Sequence, residues 1–186
     1  MGRIIRTILG TAAAAMLMAG LSVGAGASSA SAGTVSPKIG GSFTFIRNVG
    51  NNLCLEPAGL STAEFAAIVQ NPCVTTGLES IAQGWESEKV GTNHYKFRNQ
   101  LSGFCFDAFD GAFNGARLLQ GTCVPISNEE YNTGASLPNV VKIESRVHFT
   151  DTGFCVDVPG ATTQPNTAMQ IFRCNGTLAQ RWVVGF

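Results

Sequence analysis

The sequence predicts an all-β fold made of three copies of one unit, and three observations carry that reading. Cys54, Cys105 and Cys155 recur 51 and 50 residues apart. Each is answered by a second cysteine, Cys73, Cys123 and Cys174, 18 or 19 residues further on. Each copy then closes on a related triplet: Gln83-Gly84-Trp85, Glu129-Glu130-Tyr131 and Gln180-Arg181-Trp182. A fixed period near 50 residues requires one supersecondary unit repeated three times.

The chain opens on a different kind of segment. Arg3 and Arg6 give a basic start, an apolar Ala-rich run extends from Ile8 to about Gly26, and Ala30-Ser31-Ala32 fits a small-x-small cleavage site. Residues 1–32 therefore read as a secretory signal peptide, with an uncleaved anchor as the alternative. No later stretch approaches the ~20 apolar residues of a membrane span. Export predicts a secreted, extracellular protein. Residues 33–41, with Pro37 and Gly40, read as a short connecting segment before one domain over 42–186.

The first repeat covers about 42–88. Phe43-Thr44-Phe45-Ile46 reads as a strand, Asn48 to Asn52 as a turn of residues that tolerate positive φ, and Leu53-Cys54-Leu55 as the next strand. Glu64 to Val69 fits a helical turn or a strand equally well. In the second repeat, about 94–134, Tyr95 to Asn99 alternates like a half-exposed strand, and Leu101-Ser102-Gly103 turns into Phe104-Cys105-Phe106. In the third, about 145–186, Val147-His148-Phe149 leads through Asp151-Thr152-Gly153 into Phe154 to Val158. Trp85, Tyr131 and Trp182 read as core residues filling a shared centre. Gln83 reads as a buried group that must find a partner.

The cysteines, the acid two residues after each first cysteine and the Gln-x-Trp-like triplets resemble the ricin-B-like lectins over about 42–186. That resemblance implies a β-trefoil with pseudo-threefold symmetry, twelve short strands and one candidate sugar pocket per repeat. Six cysteines allow fifteen pairings. The repeat selects Cys54–Cys73, Cys105–Cys123 and Cys155–Cys174. Zinc is the rival use of these cysteines, but there is no Cys-x-x-Cys and only His94 and His148 could assist.

The resemblance also implies which positions would touch a sugar. They are the acid, a Gln four residues and an aromatic two residues before the second Cys, and an Asn three before the triplet's last residue. The carboxylate accepts from neighbouring hydroxyls, the ring packs on the C–H face, and the amide fixes orientation. The third repeat supplies Asp157, Gln170, Phe172 and Gln180, but has Ala179 where the Asn belongs; Asn175 is the nearest stand-in. The second supplies Asp107 and Asn128, with Leu119 and Gly121 at the Gln and ring positions; Phe109 or Phe113 would have to bring a ring. The first keeps only Glu56, beside Val69, Asn71 and Ala82. A structural acid that holds a turn is the plain alternative for each carboxylate.

Composition excludes several classes. Twelve basic residues include Arg3 and Arg6, leaving ten against twelve acidic residues after the leader. Nucleic acid is thus a poor partner, because phosphate binding needs clustered Lys and Arg. No Gly-x-Ser-x-Gly, His-Glu-x-x-His or phosphate-cradling loop occurs. All cysteines are absorbed by the pairing. The expectation is a non-catalytic protein with no cofactor and no metal, binding a glycan or polysaccharide, galactose-type first, through the third repeat. The competing reading is a protein-interaction trefoil, an inhibitor or a targeting subunit, whose sugar pockets have degenerated.

Overall fold

The computed structural model describes residues 42–125 and 127–185. The leader and the whole connecting segment lie outside the described residues. The first repeat contributes β1 (Phe43–Thr44), β2 (Ile46–Asn48), β3 (Leu53–Pro57), β4 (Ile68–Pro72), a helix α1 (Gly77–Ala82) and β5 (Trp85–Gly91). The second contributes β6 (His94–Asn99), β7 (Cys105–Asp107), β8 (Ala116–Arg117), β9 (Leu119–Gly121) and β10 (Tyr131–Asn132). The third contributes β11 (Asn139–Val141), β12 (Glu144–Val147), β13 (Thr150–Asp157), β14 (Thr167–Ala168), β15 (Gln170–Arg173) and β16 (Trp182–Val184).

Pairing closes these strands into a ring. β5 pairs β1 and β6, β10 pairs β6 and β12, and β16 pairs β11 and β2, so β5–β6, β10–β12 and β16–β2 join each repeat to the next. Each repeat also carries a hairpin on the ring: β3–β4, β7–β9 and β13–β15. The hairpins meet in a cyclic set of backbone bonds. Ile68 N–H donates to Leu118 O (3.0 Å), Leu118 N–H to Met169 O (3.3 Å), and Met169 N–H to Ile68 O (2.8 Å). This is a β-trefoil.

The core repeats with the backbone. Ile46, Leu55 and Trp85 correspond to Phe97, Phe106 and Tyr131, and to Ile143, Val156 and Trp182; all nine are fully buried. The second repeat thus has larger residues at two positions and a smaller one at the third, which conserves volume in a close-packed interior. Trp85 Nε1 donates to Leu55 O (2.8 Å) and Trp182 Nε1 to Val156 O (3.1 Å). The Tyr131 hydroxyl is buried without a hydrogen-bond partner among the described residues.

All three cysteine pairs form as the repeat requires, each with a Cα–Cα distance of 5.1 Å. In the chain-entropy account, loops of this length are each worth about 3 kcal/mol. Two local features go beyond the sequence reading. The ambiguous stretch after Glu64 becomes a turn and then β4. His148 and Phe149 form a two-residue hairpin turn, with φ of 48° and 61°, because two consecutive left-handed residues match the twist of the flanking strands. Among the described residues no helix is long and apolar enough to cross a membrane.

Candidate carbohydrate site

Strand alternation builds the third-repeat site. Along β13, Val156 points into the core while Cys155 and Asp157 lie on the opposite face. Register then sets Gln170 opposite Asp157 and Phe172 opposite Cys155, so acid, amide and ring share one face of the hairpin. Gln170 Nε2 donates to Asp157 Oδ1 (2.7 Å), and Gln180 Nε2 donates to Asp157 Oδ2 (3.1 Å). A carboxylate offers about four acceptor sites, so about two remain for a ligand. Burial pushes the Asp157 carboxyl above its ordinary value, against the pull of these two bonds.

A cavity of about 270 Å³ opens over this face, lined by Asp157, Gln170, Phe172 and Asn175 together with Val158, Gly160, Ala161, Thr177 and Ala179. Asn175 Oδ1 accepts from Thr177 N (3.0 Å) and Thr177 Oγ1 (2.7 Å), which leaves its Nδ2 to donate. Gln180 lies behind the wall. Its side chain is buried and binds Asp157, Arg173 O (3.0 Å) and Asn175 N–H (2.7 Å), so it positions the acid and the loop after Cys174. Four of the five residues expected in this repeat therefore line one cavity, and the fifth braces it. The turn Pro159–Ala161 and Thr177 were not anticipated; Pro159-Gly160, two residues after the acid, was the available sequence signal.

The second repeat reuses the register with different chemistry. Asn128 Nδ2 donates to Asp107 Oδ1 (2.7 Å), so the acid and the amide come together. Gly121 stands opposite Cys105, where Phe172 stands in the third repeat. A Cβ there would lie 2.8 Å from Asp107 Oδ2, so the acid fills the space of the absent ring. Glu129 replaces the triplet glutamine. It accepts from Val124 N–H (2.8 Å) but cannot donate to Asp107, and buried Lys96 stands 3.4 Å away to balance it. Burial raises the Asp107 carboxyl, opposed by Asn128 and reinforced by Glu64. Burial also raises Glu129, with Val124 N–H and Lys96 pulling it down and Asp107 pushing it up.

The first repeat holds its acid by two amides, as the third does. Glu56 Oε1 accepts from Asn71 Nδ2 (2.6 Å) and Oε2 from Gln83 Nε2 (2.7 Å), while Asn71 Oδ1 accepts from Asn166 N–H (2.8 Å). A cavity of about 340 Å³ lies over Glu56, Asn71 and Gln83, but it has no aromatic wall.

Known proteins agree with the fold. The profile of the "Ricin-type beta-trefoil lectin domain-like" family matches residues 34–121. A designed 3-fold symmetric protein, ThreeFoil, superposes with a TM-score of 0.66 at 20% identity, covering 76% of this chain and 96% of that one. The Macrolepiota procera ricin B-like lectin, solved in complex with lactose, gives 0.60 at 22% identity over 78% and 96%. The C-half of an earthworm R-type lectin, in complex with GalNAc, gives 0.59 at 16% over 76% and 96%. An exo-β-1,3-galactanase from Clostridium thermocellum gives 0.65 at 23%, but the chain spans 29% of that enzyme's length. No curated protein sequence matches. The closed threefold ring makes the protein a β-trefoil. Its repeated cysteine, acid and Gln-x-Trp pattern is similar to that of the ricin-type lectin-like domains, whose model matches residues 34–121.

Proposed function

We propose that this protein binds carbohydrate without cutting it, through the third-repeat cavity. One observation carries the reading: a partly exposed ring, Phe172, and a carboxylate, Asp157, share one strand face and open into one cavity with Gln170 and Asn175. The ring packs on the apolar C–H face of a sugar. The remaining acceptor sites of Asp157 take two neighbouring hydroxyls, and Gln170 and Gln180 keep the carboxylate from turning away. Asn175 Nδ2 supplies the donor that Ala179 cannot. A galactose-type sugar is the first ligand to try, since lectins of this fold have been solved with lactose and with GalNAc. The cysteine pairs and the leader fit an exported protein.

The test is glycan-array binding of the oxidised protein, followed by titration of any hit against Asp157→Ala and Phe172→Ala. Both variants should keep three disulfides and a cooperative melt and lose the sugar. Unchanged binding in both would remove the third repeat from consideration. A folded protein that takes no glycan but captures a partner from culture fluid would favour the protein-binding reading, to which the alanine at position 179 also speaks.

A further inference from the structure

Asparagine followed by glycine occurs twice in the chain, at Asn114-Gly115 and Asn175-Gly176. Such a pair can react with itself. The glycine backbone nitrogen attacks the side-chain amide carbon, and no Cβ obstructs its approach. Both asparagines are exposed, and both glycines hold positive φ, 87° at Gly115 and 73° at Gly176. Their surroundings differ. Gly115 N–H donates to Ile171 O (3.0 Å), and Asn114 Oδ1 accepts from Arg173 N–H (2.9 Å). Nucleophile and amide are thus both tied to β15 of the next repeat, and bringing them together breaks two bonds of the repeat boundary.

At Asn175 the bonds favour the reaction. Gly176 N–H makes no hydrogen bond among the described residues, so its nitrogen is free to attack. Asn175 Oδ1 accepts from Thr177 Oγ1 (2.7 Å) and Thr177 N–H (3.0 Å). Two donors on one carbonyl oxygen draw charge from Cγ and stabilise the oxyanion that forms when it is attacked. Both donors belong to the same loop and move with it. The loop itself is held in place, since Cys174 is bonded to Cys155 and Asn175 N–H donates to Gln180 Oε1 (2.7 Å).

We propose that Asn175 is a self-modification site, at which the third-repeat cavity converts one of its own amides into an acid. Gly176 N forms a bond to Asn175 Cγ and gives up its proton to water. Nδ2 takes up a proton and leaves as ammonia, which closes a five-membered succinimide. Water then adds to one of the two ring carbonyls and opens the ring to an aspartyl or an isoaspartyl residue. The sum is one water consumed and one ammonia released, with no oxidation. The product puts a carboxylate in place of the Nδ2 donor, in the cavity that already holds Asp157. The isoaspartyl form also adds a methylene to the main chain beside the bond to Gln180, the residue that braces Asp157. Converted protein should lose sugar affinity by about tenfold or more, through the lost hydrogen bond and the added like charge. Its effect on binding rests on the carbohydrate reading above, whereas the conversion itself does not.

The experiment ages the whole oxidised protein at mildly alkaline pH. Peptide mass mapping and enzymatic methylation of isoaspartyl groups follow each Asn-Gly pair, and the same samples are titrated with lactose. Asn175 should convert while Asn114 stays intact; after reduction and unfolding in urea the two should convert at similar rates. Thr177→Val should slow conversion in the folded protein about fivefold, the worth of one ordinary hydrogen bond, and Thr177→Ser should restore it. A folded Asn175→Asp variant should show the weakened binding of aged protein. An Asn175 that stays intact, or that converts no faster than Asn114 in the folded protein, overturns the proposal. Conversion of Thr177→Val at the wild-type rate overturns the activation by Thr177. Full conversion with unchanged sugar affinity overturns the effect on the cavity. Absence of sugar binding at any age overturns the carbohydrate reading, and the mass map still decides the conversion.

Discussion

The Tyr131 hydroxyl offers a sharp test of how the trefoil core is balanced. It is fully buried and makes no well-formed hydrogen bond among the described residues, although the Ala108 backbone lies close enough to favour its ionised form; the two tryptophans at the same position donate to the carbonyls of Leu55 and Val156. Burial also drives its ionisation well above the usual tyrosine value. A buried polar group without a hydrogen bond costs about 1–3 kcal/mol. Tyr131→Phe removes that group and keeps the ring against Phe97 and Phe106, whose centroids lie 6.0 and 6.1 Å away. The variant should gain about 1–2 kcal/mol, at the lower part of that range, because the oxygen leaves a small void. For a domain of this size each kcal/mol moves the midpoint by roughly 3–5 °C. Urea and thermal unfolding of the oxidised protein measure the change. Tyr131→Trp restores the donor but adds bulk beside two phenylalanines where the other repeats have aliphatic residues, so it should lose about 1–3 kcal/mol. A Tyr131→Phe protein less stable than wild type by 1 kcal/mol or more would refute the argument, since the hydroxyl would then have a partner.

Other expectations concern charge and covalent closure. Asp157 has a folded value above its ordinary 3.8. The folded state therefore holds its proton more tightly, so its contribution to stability is present below 3.8 and is lost as the pH rises through the raised value. Sugar binding needs the ionised acid, so acidification should weaken binding before ordinary carboxylates protonate, without a matching fall in melting temperature; titration and melts across that range measure both. Glu129→Gln should destabilise by about 3–5 kcal/mol by stranding buried Lys96, and Lys96→Met with Glu129→Gln should recover most of the loss. Recovery by the pair but not by either single change, read in a double-mutant cycle of urea melts, is the expected pattern. Replacing Cys155 and Cys174 by serine should cost about 3 kcal/mol, and it should weaken binding at the third-repeat cavity, because Phe172 stands directly across from Cys155; urea melts and sugar titration of the variant measure both.

The fold was legible in the sequence because its marks are covalent or periodic: paired cysteines, the acid two residues on, and the closing triplet. Most of the third-repeat site was legible for the same reason, since strand alternation carries Asp157, Gln170 and Phe172 to one face once the hairpin register is fixed. What stayed hidden depends on partners that spacing does not reveal. Glu129 looks like a broken glutamine until Lys96, 33 residues away, is seen beside it. Tyr131 looks like a weakened tryptophan until Phe97 and Phe106 are seen to fill the same volume. The turn at His148–Phe149 was missed because the cysteine spacing conceals a lengthened hairpin in the third repeat. Phe65 sits in a stretch with no clear period, and composition does not disclose its left-handed backbone.

These repeats can diverge separately because fold and site are held by different bonds. The ring closes through β5–β6, β10–β12 and β16–β2, and the hairpins lock through the Ile68, Leu118 and Met169 amides, none of which uses a site side chain. Each acid is held within its own repeat: Glu56 by Asn71 and Gln83, Asp107 by Asn128, Asp157 by Gln170 and Gln180. Loss of a ring at position 121 or of an amide at 179 therefore leaves the barrel unaffected. The first and third repeats hold their acids alike, each carboxylate oxygen accepting one amide hydrogen beneath a cavity. What sets the third apart is the aromatic wall that Phe172 gives its cavity. The second repeat departs from both, its acid held by Asn128 in place of a triplet glutamine; a trefoil that needed all three pockets for stability could not have come apart in this uneven way.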